Sequence, residues 1–136
     1  MSLRNDHAGI IARDPRYTYH AYDFVIEALE YSKTLKKKSK TRGRSRTTTT
    51  PRHVTGRDLC EGARKLALEQ YGMMALGILK LWGIRSTSDI GEVVYNLIRS
   101  GDLEKTPSDE RSHFDDVFDF EVAFRREFVL TLDEVA

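Results

Sequence analysis

Apolar residues recur at helical spacing along most of this chain, with one abrupt break. Ala21, Phe24, Val25, Ala28 and Leu29 share one face, with Tyr22 and Ile26 widening it, so the pattern predicts a first helix from Tyr17 to Leu35. Asp14-Pro15 marks its start, because proline at the first helical position gives up no needed N–H. Leu59, Ala63, Leu66, Ala67 and Tyr71 mark a second helix. Thr55-Gly56-Arg57-Asp58 precedes it as a capping-box pattern, although Asp58 is shorter than the usual glutamate and leaves the reciprocal half of the box open. Gly72 is its expected left-handed stop.

The run Met73 to Trp82, M-M-A-L-G-I-L-K-L-W, is apolar almost all round. A helix without a polar face belongs at the centre of a domain, with Lys80 reaching solvent past its neighbours. After Gly83, the turn Ile84-Arg85-Ser86-Thr87 offers caps for a fourth helix, Ser88 to Ser100, whose buried face is Ile90, Val93, Val94, Leu97 and Ile98. Gly101 closes that helix and Leu103 folds back on it. Farther on, Phe114, Phe118, Phe120 and Phe124 interleave with Asp115, Asp116, Asp119 and Glu121. Two arrangements fit. A short strand Asp102–Thr106 pairs with Phe114–Phe118, and Asp119 caps a short helix through Phe124; or Phe114–Arg125 is one helix. Periodicity over so few residues leaves both open. The expected fold is mainly α, with α+β as the alternative. Four principal helices surround the central apolar one, and a β-hairpin, wing-like element or fifth helix follows near the C-terminus.

The break falls at Lys36–Arg46, which holds seven basic residues in eleven and no acid, and runs on through T-T-T-T-P-R-H to Val54. Like charges repel at this density and Pro51 stops regular structure, so 36–54 reads as a solvated, disordered loop. The chain then divides into a flexible leader 1–14, one helical domain 15–130 interrupted by this loop, and a tail 131–136. The net charge of +1 conceals an uneven distribution: from Gly101 onward eleven acidic residues face four basic ones, giving −7 there and +8 before it.

The candidate chemistry is thin. A single cysteine, Cys60, rules out an internal disulfide framework; flanked by Asp58 and Glu61 on a helix, it reads as a core residue rather than a nucleophile. No apolar run approaches the roughly 18–20 residues that span a bilayer, no membrane partner is indicated, and a cytoplasmic location is expected. His7, His20, His53 and His113 are scattered. His113, Asp115, Asp116, Asp119 and Glu121 form the densest set and the natural home for a hard cation, but they lack the spacing of a calcium loop. An amphipathic element with a solvated acidic face is the simpler account. With no G-x-S-x-G elbow, Walker loop or G-x-G-x-x-G fingerprint, no catalytic, cofactor or metal residue and no small-molecule substrate is assigned.

Two binding surfaces follow. Lys36, Lys37, Lys38, Lys40, Arg42, Arg44 and Arg46 form an arm suited to a polyanion such as nucleic acid, by counterion release and without stacking aromatics. The third and fourth helices with a following hairpin have the order of a winged helix-turn-helix. Its recognition helix would offer Asp89 and Glu92 to phosphates, with Arg99 at the far end, so DNA reading through it is disfavoured. The preferred function is therefore a small non-enzymatic interaction domain. Its basic arm and acidic C-terminal face engage charged protein partners, copies of itself included. The alternatives are a nucleic-acid binder using the arm, and an enzyme or divalent-cation binder using 113–121.

Three segments, Y-D-F-V-I-E-A-L-E-Y at 22–31, the unbroken run from His53 to Leu103, and F-D-F-E-V-A-F at 118–124, resemble a small family of hypothetical proteins associated with the Planctomycetes and Verrucomicrobia. That family has no assigned activity, cofactor or site. The resemblance implies a bacterial, intracellular protein and carries no functional residue onto this chain.

Overall fold

The computed structural model describes residues 11, 13–43 and 53–126. The first ten leader residues and the tail 131–136 lie outside it. Among the described residues four α-helices are complete: α1 (Tyr19–Gly43), α2 (Gly56–Tyr71), α3 (Ala75–Leu81) and α4 (Thr87–Ser100). Among the described residues there is no strand, so the fold is mainly α and the hairpin or wing is not formed. In its place stand a 3₁₀ turn, Arg111–Phe114, and a π-helical turn, Val122–Arg126.

α1 begins later and ends later than its apolar pattern predicts. Asp14 does not cap it. Its carboxylate instead accepts from Arg16 Nε at 2.8 Å and from Asn96 Nδ2 at 2.9 Å, which pins the end of the leader onto α4. Ile11 packs on the core, so residues at the end of the leader belong to the fold. At the other end α1 continues through Gly43. The expectation of a loop over 36–54 is thus corrected for 36–43, where lysine and arginine are good helix formers and the helix is already nucleated by its packed apolar turns. Residues 44–52 lie outside the described part.

α2 is fixed at its start and along its length. Thr55 Oγ1 accepts from the Asp58 N–H at 3.1 Å, and Asp58 Oδ2 accepts from the Thr55 N–H at 3.0 Å, so the capping box is complete. The short aspartate suffices because Lys36 Nζ, reaching over from α1, donates to the same Oδ2 at 2.9 Å. α1 and α2 share the broadest interface of the fold. Its closest approach is Gly62 against Ser32: a Cβ on Gly62 would lie 1.9 Å from Ser32 Oγ. That buried hydroxyl donates to the Ala28 carbonyl at 2.7 Å.

The helix that packs on every other element is α2, not the apolar run; α4 is buried along one whole face. Ile90, Gly91, Val93, Val94, Asn96 and Leu97 are all buried, with α1 and the 3₁₀ turn packed on it. Ser86 caps its N-terminus, accepting from the Asp89 N–H. Gly101 at φ 89° closes the other end, and the N–H groups of Asp102 and Leu103 return to the Leu97 carbonyl at 2.9 and 3.2 Å. α3, by contrast, is seven residues long, and Met74 supplies no side-chain cap. It buries Ala75, Leu76 and Leu79 and turns Leu81 outward, and the 3₁₀ turn Gly72–Met74 before it exposes Met73 and Met74. Gly83, at φ 101°, ends this region where a Cβ would meet the Arg16 carbonyl oxygen at 2.1 Å, so the chain can cross the start of α1 only at a glycine.

Candidate functional site

Of the two charged surfaces expected from the sequence, the acidic one is largely taken up by contacts within the chain, and the basic one is tied into the fold at its start. In the basic arm, Lys36 is the ion-pair partner of Asp58 at 2.9 Å. Burial opposes the charge on Asp58, but the hydrogen bonds from Lys36 and Thr55 outweigh it and hold the carboxyl below its ordinary range. Lys37 is exposed on α1, and Lys38, Lys40 and Arg42 fall in its last turns. Arg44 and Arg46 lie outside the described residues.

The acidic segment is spread over several structural tasks. Asp115 pairs with Arg111 at 3.1 Å, and Glu121 pairs with Lys80 at 3.3 Å and with Arg125 at 2.9 Å. Asp119 caps the last turn, its carboxylate accepting from the Val122 N–H at 3.2 Å and its carbonyl from the Ala123 N–H at 2.9 Å. Asp116 holds a positive φ of 48°. Among the described residues no three histidine, cysteine or acidic side chains converge as metal ligands would. The phenylalanines go inward: Phe120 and Phe124 are buried and meet edge to face at 5.0 Å between centroids. Cys60 is fully buried, and burial followed by the Glu61 charge pushes its thiol up to about 12, a protonated core side chain at neutral pH.

The N-terminal end of α4 is also engaged. Tyr17 Oη donates to Asp89, and Glu92 accepts from Arg16 at 3.0 Å and from Arg111 at 2.8 Å. Arg111 also donates to the Ser88 carbonyl and hydroxyl at 2.8 and 2.7 Å, clamping the 3₁₀ turn onto α4. Its lone basic charge within an acidic stretch was the available sequence signal.

What remains open on the surface is the outer face of α3. Met73, Met74 and Leu81 are 72%, 62% and 76% exposed, and Gly77, between them, is exposed too. Gly77 and Leu81 are four apart on α3, opposite buried Ala75 and Leu79, while Met73 and Met74 lie in the 3₁₀ turn Gly72–Met74 just before it. Val122 and Tyr19 add further exposed apolar surface. Large apolar side chains scattered singly need no explanation, whereas a contiguous stripe marks a contact surface. Gly77 sharpens the point. A Cβ there would meet nothing within 4 Å, and its φ is ordinary, so nothing inside the fold requires glycine. A glycine in a helix interior costs about 1 kcal/mol relative to alanine. A glycine there leaves room for another backbone to approach closely. The sequence showed this run as apolar all round and led to the core; its exposed side is visible only once the short helix is placed at the edge.

No described helix is long and apolar enough to cross a membrane. No family model, curated protein or solved structure matches the chain.

Proposed function

We propose that this protein is a non-enzymatic interaction domain that docks through the outer face of α3, and that the partner on that face is a second copy of the chain. The observation that carries the reading is the exposed apolar set Met73, Met74 and Leu81 around exposed Gly77. Gly77 stands between them in sequence, with the two methionines in the 3₁₀ turn before α3 and Leu81 at its end. Two such helices crossing antiparallel at their glycines bring Leu81 of one against Met73 and Met74 of the other, the self-complementary arrangement that a two-fold axis requires. The patch offers on the order of 400 Å². A stable interface uses about 800 Å² per partner, so the dimer is a weak one completed by rim contacts. An intracellular, bacterial setting and a cytoplasmic location belong to the same proposal, supported by the resemblance described above.

Cross-linking tests the geometry. Met73→Cys and Leu81→Cys chains, oxidised separately and as a mixture, are read by non-reducing electrophoresis; buried Cys60 is silent. The antiparallel crossing predicts that the mixed 73–81 disulfide forms faster than either symmetric one. A statistical mixture of the three products would refute the crossing.

The helical continuation of α1 to Gly43 favours a second reading for the arm. Lys37, Lys38, Lys40 and Arg42 then belong to one helix, which we propose a polyanion contacts. Replacing these four by glutamine should reduce the retention of the protein on immobilised DNA and its salt dependence. Unchanged retention would remove the arm from this role.

A further inference from the structure

A cavity of about 340 Å³ lies where α1, the start of α2, α4 and the segment 103–114 meet, away from the outer face of α3. Its size is that of a small-molecule site. The floor is apolar: Leu29, Leu59, Val94, Ile98, Leu103 and Phe114 line it. The polar side chains at its edge are unevenly charged. Glu104, Asp109 and Glu110 are there, against Lys33 and two histidines, His53 and His113. Lys33 is already paired with Glu30 at 3.3 Å. One oxygen of Asp109 accepts from the Thr106 N–H and hydroxyl at 2.9 and 3.0 Å. The other lies 3.4 Å from His53 Nε2.

Tyr95 lines the same cavity, its ring edge to face with Phe114. Its hydroxyl is the one buried side-chain polar atom with no hydrogen-bond partner among the described residues. Native structures rarely leave such a group unsatisfied without a reason. Burial and then the Asp109 charge raise its pKa, so the oxygen is a neutral phenol, able to accept as well as donate.

We propose that this cavity binds a small organic amine, its apolar body on the Leu59–Ile98–Phe114 floor and its ammonium group at the carboxylate edge beside Tyr95. The chemistry of the lining selects this class. An apolar body removes the floor from water, and an ammonium donates to acceptors that are in excess there. A carboxylate of the same size would face Glu104, Asp109 and Glu110, and an alcohol would forgo the charge-assisted bonds. The cavity shares no residue with the α3 face, so the site stands or falls independently of dimerisation.

The test is an NMR titration of the full chain with three probes of similar bulk: 2-phenylethylamine, 2-phenylethanol and 3-phenylpropionate. Saturable shifts are expected at Val94, Ile98 and Phe114 with the amine, at least about 10-fold tighter than with the alcohol, and none with the carboxylate. Glu104→Gln combined with Glu110→Gln, both on exposed side chains, should weaken the amine about 10-fold and leave the alcohol unchanged. Tyr95→Phe should weaken the amine as well. The proposal is overturned if the carboxylate binds as tightly as the amine, if the amine is indifferent to the paired glutamine substitutions, or if none of the three probes binds saturably at millimolar concentration.

Discussion

α2 and α3 are consecutive helices separated by one 3₁₀ turn, Gly72–Met74, and they are held in opposite ways. α2 has a complete capping box, an ion pair from α1 onto that box, and a close crossing at Gly62. α3 has no side-chain cap, seven residues and an exposed Leu81, with exposed Met73 and Met74 in the turn before it. Each helix has a glycine in its interior. At Gly62 the space for a Cβ is already filled by Ser32, so the glycine is explained by the fold. At Gly77 that space is empty, and nothing within the described fold calls for glycine. The same residue type therefore marks an interface within the fold in one helix and borders the face proposed for docking in the other.

The largest expected effect is on the filled side. Gly62→Ala should destabilise the protein by about 2 kcal/mol, because the added methyl displaces a buried hydroxyl and separates α1 from α2. Ser32→Ala in the same chain should recover part of the loss, as read by denaturant unfolding. If Gly62→Ala is neutral, the crossing is looser than the distance implies. Next comes Asp58→Ala, which removes the reciprocal half of the capping box and strands Lys36, with an expected cost of about 1 kcal/mol. The same carboxyl gives a pH signature. Its folded pKa lies below the ordinary carboxylate value, so its contribution is complete above about pH 4 and is lost as pH falls through the folded pKa. Urea midpoints measured from pH 6 down to pH 2 should therefore drop less in Asp58→Asn than in the parent.

On the open side the effects on stability are small, and those on association large. Leu81→Lys should leave the unfolding free energy within about 0.5 kcal/mol. Gly77→Ala is the most discriminating variant: it should raise the stability of the monomer by about 0.5–1 kcal/mol while weakening the dimer. A substitution that stabilises the monomer and leaves association untouched would show that Gly77 serves no contact.

Much of the fold was legible in the amino-acid order. The Thr55 cap, the Gly101 stop with Leu103 folding back, the α4 face and the capping role of Asp119 follow from local chemistry, and each is found. The rest was not legible, because it depends on how segments distant in sequence meet. Lys36 joins Asp58 across 22 positions, which makes the start of the arm structural. Arg111 gathers Glu92, Ser88 and Asp115, which binds the acidic segment to α4 instead of leaving it as a free face. The Met73–Trp82 run contains no polar face to show which side meets water, so its apolarity was compatible with the core and with a docking surface alike. The amine cavity was hidden for the same reason: its floor and edge come from four separate segments, none of which carries a motif.

Sedimentation equilibrium across a wide range of protein concentration, in low and high salt, tests the central claim most directly. Docking through the α3 face predicts a monomer–dimer equilibrium that salt does not weaken, because the contact is apolar, and that Leu81→Lys abolishes. A monomer at every concentration, or a dimer that high salt dissolves and Leu81→Lys leaves intact, would contradict it.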